Sequence, residues 1–340
     1  MKYRFGKMSP RKIILIVGSV LLYLLILVLL FLMQKMEATQ ERETVNGSLE
    51  NRFLSDITLE HAGDTWHYRE NEITNYLLIG LDREDINRSA GYQNGGQADF
   101  LVVLSIDRIN RTITPVMLDR DTMTEVQTYG VFGHPSGTRV MQLCLAQAYS
   151  TKGSSGSENT ANAVENLLHG VKMDRWVTID TSAIPVLNDR IGGVEVTLED
   201  DFTVYDPSMT EGSTIRLLGE QAEFFVRGRM TVADGTNASR MKRQQQYISA
   251  FLARLREKME TEQDILVQLF DSVSGHMQSG APEEILLQEA DTYSNYEWKP
   301  LRSLQGTHSL DEYRFAQFFP DGDSLRELAA EIWFSKEEQE

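Results

Sequence analysis

Cationic side chains crowd into two short stretches of an otherwise acidic chain: Arg227 and Arg229 in one, Arg240, Lys242 and Arg243 in the other, followed by Gln244, Gln245 and Gln246. The formal net charge is −17, so the molecule as a whole repels anions and a local gathering of cations calls for a local purpose. Guanidinium groups match phosphate oxygens with paired hydrogen bonds and stay charged at any working pH. The chemistry they suggest is the handling of a phosphate group. The competing reading is a solvated helix face paired with the many acids. Local signals count against it. Asp234-Gly235 is a turn signal and Ser239 can cap a helix that opens at Arg240. On that helix Arg240, Arg243, Gln244 and Tyr247 share one face, beside an apolar stripe of Met241, Ile248, Phe251, Leu252, Leu255 and Met259. Free N–H groups and the macrodipole in the first turn add to the attraction for an anion.

Carboxylates complete the candidate chemistry. Hard oxygens at Asp82 and Asp99 suit Mg²⁺ or Mn²⁺ when a diphosphate supplies further ligands, although each residue also reads as a turn former. Asp119-Arg120-Asp121 reads either as a local ion pair or as a third cationic contact. Together the parts describe a metal-assisted phosphoryl-transfer site.

These residues need a scaffold, and the flanking segments supply one. Residues 76–81, 100–106 and 112–117 are strand-like runs. Paired as an antiparallel meander, they bring Asp82, Asp99 and Asp119 to Asp121 to one end of a sheet. Pro115 predicts that the third run is an edge or bulged strand. Helical patterns follow at 140–149 and 161–168 around a Gly/Ser linker at 152–157. Strands at 175–180 and 194–198 flank a helix near 184–189 and the Gly192-Gly193 turn; helices are expected at 263–273, 282–290 and 324–334. This alternation predicts an α/β fold with helices on both faces of a mixed sheet.

Residues 13–33 are an uncharged run of 21 residues, long enough as a helix to span a bilayer core of about 30 Å. Lys2, Arg4, Lys7, Arg11 and Lys12 precede it without an acid. The positive-inside rule then puts residues 1–12 in the cytoplasm and the remainder outside a cell membrane crossed once. A cleaved signal peptide fits less well, because no small-residue cleavage site follows. Residues 34–62 read as a polar stalk and 63–340 as one external domain. Taking the five tail charges from −17 leaves −22 outside, which argues against nucleic acid as a partner. Cys144 is the only cysteine; it excludes an intramolecular disulfide and reads as a buried, inert thiol.

In order and spacing the quoted pieces resemble the LytR-CpsA-Psr family of bacterial cell-envelope proteins, over about Asn75 to Leu255. The resemblance is carried by Leu77 to Asp82, Asp99 before an apolar strand, Leu118 to Thr122, Ile191 to Val196, Gly219 to Ala222, Val226 to Arg229 and Ser239 to Gln246. It implies an α/β/α sandwich with a central mixed sheet and an apolar tunnel, behind one N-terminal membrane helix. The implied activity is transfer of a glycopolymer, such as teichoic acid or capsule, from a polyprenyl-pyrophosphate carrier to a peptidoglycan acceptor, forming a phosphodiester. Asp82 and Asp99 would bind Mg²⁺, and Arg120, Arg227, Arg229, Arg240 and Gln244 the pyrophosphate; Arg243, on the same basic face, is expected to bind it too, Asp121 would orient its neighbouring Arg, and Arg120, Asp121, Arg227 and Arg229 are the expected catalytic residues. Ile248 and Phe251 would line the tunnel or simply belong to the core. The chain departs from the family pattern where Ala98 and Phe100 replace hydroxyl residues beside Asp99, and where Arg83 directly follows Asp82.

Two other functions stay open: a polyprenyl-pyrophosphate hydrolase using water as acceptor, and a non-catalytic envelope binding or regulatory protein. A 12-residue tail is too short for a DNA-binding domain, and the scattered histidines and absent Gly-x-Ser-x-Gly elbow count against Ser-His hydrolase chemistry. The topology has a direct check. Protease added to intact protoplasts should digest the chain beyond Met33; protection of that region would reverse the orientation.

Overall fold

The computed structural model describes residues 57–83, 86, 96–130, 133–149, 155–228, 232 and 237–336. The expected membrane segment 13–33, most of the stalk and Arg229 lie outside these residues. No helix among the described residues is long and apolar enough to cross a membrane. The chain divides into two units, Met1–Ser55 with Tyr129–Ser136, and Asp56–Thr128 with Gly137–Glu340. The site and its supports belong to the second.

Strands β1 (Thr58–His61) and β2 (Asp64–Tyr68) pair ahead of the meander. The stalk as drawn to residue 62 is therefore too long at its end, because Leu59 is buried in the core. The meander itself is present: β3 (Ile73–Leu81), β4 (Ala98–Asp107) and β5 (Thr112–Leu118) run antiparallel in turn. Next in the chain come β6 (Met123–Tyr129) and β7 (Pro135–Gln142), then a 3-10 segment at Leu143–Ala148. The helix expected over 140–149 is replaced by the end of β7 and this short turn. Its backbone is held from outside, since Leu143 and Cys144 donate their N–H groups to the carbonyls of Thr122 and Arg120 at 2.8 and 2.9 Å.

Helix α1 (Gly156–Leu167) begins inside the expected linker because the Ser155 hydroxyl accepts the N–H of Glu158 at 3.0 Å and caps it. Then follow β8 (Arg175–Ile179), α2 (Ala183–Arg190), β9 (Val194–Thr197), β10 (Thr214–Leu217), α3 (Glu220–Arg227), α4 (Asn237–Thr261) and α5 (Ile265–Val273). The C-terminal part contributes β11 (Met277–Ser279), α6 (Glu283–Tyr293), β12 (Glu297–Trp298), β13 (Arg302–Ser303), β14 (Gly306–Leu310), β15 (Ala316–Pro320), α7 (Gly322–Trp333) and β16 (Phe334–Lys336).

The central sheet has the order β11-β8-β3-β4-β5-β12, with β13 also on β5. It is mixed, because β8 lies parallel to β3 and β12 and β13 lie parallel to β5. Strand β5 is thus not an edge. Pro115 instead splits its outer partner: β12 pairs at Thr112 and Ile113, β13 at Val116 and Met117, and no pairing crosses the proline. Strand β9, expected near this sheet, pairs only with β10 in a separate two-stranded ribbon.

Alternation along the strands separates the faces. Leu77, Ile79, Leu101, Val103, Val116 and Leu118 form a core with Val164 of α1 and Leu328, Ala329 and Trp333 of α7. On the opposite face the Tyr76 hydroxyl bonds to Glu289 of α6. Helices therefore contribute to both faces. A second apolar cluster joins Val194, Val196, Phe202, Leu217, Phe225, Val226 and Leu255. Gly193 turns the chain into β9 at φ +83°, where an added Cβ would meet the Leu217 carbonyl at 2.7 Å.

Asn75 and Trp333 tie the C-terminal helix to the meander. The fully buried Asn75 donates to the Lys172 carbonyl at 2.9 Å and accepts the Trp333 indole N–H at 2.9 Å. Trp333→Phe removes that donor and leaves a buried amide oxygen unpaired. It should lower unfolding free energy by about 1–3 kcal/mol in a denaturant titration.

Candidate active site

The end of the meander gathers the charged residues. A register shift at Gly80/Leu81 bends β3 just before Asp82. Asp99 is the second residue of β4, and Arg120 lies two residues beyond β5. Arg120 binds one oxygen of Asp99 and the Gln97 side chain, while Arg240, in the first turn of α4, donates to the other Asp99 oxygen at 2.8 Å. The Arg240 side chain is only 5% exposed. Arg227, the last residue of α3, donates to Asp82 at 2.7 Å and also pairs with Glu223 one turn back. This second pair is the open one, with side chains 39% and 48% exposed for Arg227 and Asp82.

Beside the ion pairs lies a cavity of about 140 Å³. Asp82, Asp99, Arg227, Arg240 and Gln244 stand on its wall together with apolar side chains including Ile179, Ile184, Leu187, Val226, Ile248 and Phe251. Ile248 and Phe251 therefore face the cavity rather than serving only as core.

The loop from Asp119 to Thr122 aims Arg120. The Asp119 carboxylate accepts the Asp121 N–H at 2.8 Å, and the Asp119 carbonyl accepts the Thr122 N–H at 3.1 Å, closing a tight turn. Asp121 stands 3.4 Å from Arg120 Nε and accepts from Gln142 at 3.2 Å. Arg120 also approaches the Cys144 sulfur at 3.2 Å. Burial pushes that thiol up to about 11, against the pull of the adjacent Arg120 cation. Cys144 is a neutral packing group beside the site at neutral pH.

Arg243, expected to bind the pyrophosphate, goes elsewhere. It does not line the cavity: its Nε donates to the Phe225 carbonyl at 3.2 Å, its Nη2 donates to the Gly228 carbonyl, and Nη1 pairs with Asp200 at 3.2 Å. Gln244, which does line the cavity, also reaches the Val226 carbonyl at 3.4 Å. The two side chains thus satisfy carbonyls at the end of α3 and fix the turn that presents Arg227. Helix α4 begins at Asn237, before the expected Ser239 cap. Arg229 lies outside the described residues, so Arg120, Arg227 and Arg240 are the site arginines whose contacts are described.

Both expected metal ligands line the cavity and offer hard oxygens. Among the described residues no group of three or more His, Cys, Asp or Glu is arranged to hold a metal ion. Two carboxylates fit a cation that keeps water and takes its remaining ligands from phosphate.

The family model described as "LytR_cpsA_psr family" matches residues 30–331. The chain belongs to the LytR_cpsA_psr family. Among its relatives, Biofilm regulatory protein A of Streptococcus mutans is 26% identical over 186 residues, 53% of this chain and 43% of that protein. The polyisoprenyl-teichoic acid–peptidoglycan teichoic acid transferase TagV of Bacillus subtilis is 25% identical over 244 residues, 68% of this chain and 58% of that protein. The chain spans about half the length of the curated relatives it matches. A crystal structure of a Streptococcus agalactiae protein shares the fold with a TM-score of 0.61 at 21% identity, covering 77% of this chain and 87% of that one.

Sequence patterning missed His308, whose Nε2 lies 2.7 Å from Asp119 Oδ2. No local signal marks a contact across 189 positions. For Arg243, the placement makes a stability test decisive. Arg243→Ala strips partners from the α3 carbonyls and from Asp200, and should destabilise the fold by about 3 kcal/mol or more in chemical denaturation.

Proposed function

We propose that this chain is a phosphotransferase that moves a teichoic-acid-like or capsule-like glycopolymer from a polyprenyl-pyrophosphate carrier to peptidoglycan. Family membership and a relative named as a teichoic acid transferase support the reaction class. The observation that carries it is the pairing of Arg227 with Asp82 and of Arg240 with Asp99 on the wall of an apolar cavity, with Arg120 bound to the same Asp99 carboxylate. An acceptor hydroxyl oxygen forms a bond to the phosphorus that bears the glycan. The bridging phosphorus–oxygen bond breaks, polyprenyl phosphate leaves with the electron pair, the hydroxyl proton is released, and a phosphodiester remains.

The ion pairs suit this exchange of partners. Phosphate oxygens would take over the guanidiniums of Arg120, Arg227 and Arg240, with Arg229 and Gln244 as further contacts. Asp121 keeps Arg120 in line. Asp82 and Asp99, released from the arginines, would hold Mg²⁺ or Mn²⁺. The metal ion supplies charge neutralisation of the diphosphate. Apolar wall residues such as Ile248 and Phe251 receive the lipid. A membrane anchor at 13–33, with the domain outside the cell membrane, keeps the site beside a lipid-borne donor.

The test is a transfer assay with a lipid-pyrophosphate donor, a glycan acceptor and a Mg²⁺ titration. Arg227→Ala and Arg229→Ala should each lower turnover by about 10³- to 10⁵-fold, as for a catalytic arginine. Arg→Lys should restore little, because a point charge cannot copy the fork. Asp82→Ala and Asp99→Ala should abolish most Mg²⁺-dependent turnover. Activity within a few-fold of the parent in both arginine variants would remove the site as drawn, and free glycan phosphate as the sole product would replace transfer by hydrolysis.

A further inference from the structure

The turn that carries Arg120 is clasped from a part of the chain outside the motif-bearing region. The β14–β15 hairpin reaches it twice: Phe318 donates its N–H to the Asp121 carbonyl at 2.8 Å, and His308 Nε2 lies 2.7 Å from Asp119 Oδ2. The imidazole packs on the Phe318 ring with centroids 4.7 Å apart, so the hairpin's own aromatic contact sets its direction. The Asp119 side chain is only 1% exposed, whereas that of His308 is 42% exposed. A carboxylate so deeply placed depends on hydrogen-bond donors for its charge. Its other oxygen accepts the Asp121 N–H at 2.8 Å, one of the bonds that close the turn.

We propose that His308 is a positioning residue for Arg120, an inference that rests on the phosphotransferase reading above. Donation from Nε2–H fixes the rotamer of the Asp119 carboxylate. The fixed carboxylate holds the Asp121 amide, and the turn so closed sets the direction in which the Arg120 side chain leaves the backbone toward Asp99. His308 transfers no proton and contacts no substrate in this role. A displacement of about 1 Å in such a group is enough to cost about 10²-fold in rate.

The experiment uses the full-length chain in detergent micelles, with His308→Ala, His308→Gln and Arg120→Ala compared in the same transfer assay. Glutamine retains a side-chain N–H donor at about the reach of Nε2 but lacks the ring. Expected for His308→Ala is a kcat about 10- to 100-fold lower, a donor KM within about threefold of the parent, and faster amide hydrogen exchange across Asp119 to Thr122. His308→Gln should stay within about fivefold of the parent in kcat and keep the parental exchange rate. Parental kcat and exchange in His308→Ala would overturn the inference. So would an equal loss in both His308 variants, which would assign the effect to ring packing on Phe318. An inactive Arg120→Ala beside a parental His308→Ala overturns this inference alone, whereas parental turnover in Arg120→Ala overturns the phosphotransferase reading and this inference together.

Discussion

Asp99 holds two guanidiniums on one carboxylate, Arg120 from beyond β5 and Arg240 from α4, and the candidate site depends on that contact. It ties three segments widely separated in sequence at the edge of a cavity. Two unit charges about 4 Å apart in a medium of effective dielectric about 20 interact by roughly 4 kcal/mol. Without the shared acid, two largely buried cations would lose the carboxylate that joins them. Networks of this kind seldom stabilise a fold more than apolar packing of equal volume does. Their presence here is better explained by chemistry than by folding.

The cavity draws its wall from both apolar clusters: Leu81 belongs to the sheet core, Val226 and Tyr247 to the cluster around α3 and α4. Apolar walls beside the Asp99 pairs exclude water and strengthen those charge interactions, while the Arg227–Asp82 pair stays open. The same junction explains the different fates of neighbouring basic residues. Arg240 and Gln244 are one helical turn apart and meet at the cavity. Arg243 lies to one side of that row, where it meets the end of α3 and satisfies the carbonyls of Phe225 and Gly228. Its charge is spent on holding Arg227's platform in place.

Local patterning carried much of this. Short apolar runs mark β3, β4 and β5, and an antiparallel meander is the pairing expected of them, although residues 82–97 separate β3 from β4. That alone brought Asp82, Asp99 and Arg120 to one end of the sheet. Periodicity did not separate Arg243 from Arg240, because spacings of three and four residues differ by only about 100° around a helix. It also failed at Pro115, where the physical rule was sound but its outcome was a split neighbour rather than an edge. Residues 140–149 misled for another reason. Short apolar runs are ambiguous, and here the backbone donors at Leu143 and Cys144 go to the Arg120 loop rather than into a helix. The Asp119–His308 contact had no local signature at all, since it is made by a C-terminal hairpin folding back on the meander.

Charge balance gives the strongest physical reason to pair the diphosphate with a cation. Among the described residues, the guanidiniums of Arg120, Arg227 and Arg240 meet the carboxylates of Asp82, Asp99, Asp121 and Glu223, three positive charges against four negative. That is a net charge of −1 among these side chains, with Arg229, which lies outside the described residues, not counted. A diphosphate entering alone would bring more negative charge beside four carboxylates, and would have to displace carboxylates from arginines without giving them new partners. A divalent ion changes both conditions, because it adds two positive charges and gives the freed Asp82 and Asp99 oxygens a hard partner. On the proposed reading, the arginines and aspartates neutralise one another while the site waits and exchange together when metal and diphosphate arrive. Binding of either alone should then be weak relative to binding of both, a coupling that follows from the ion pairs themselves.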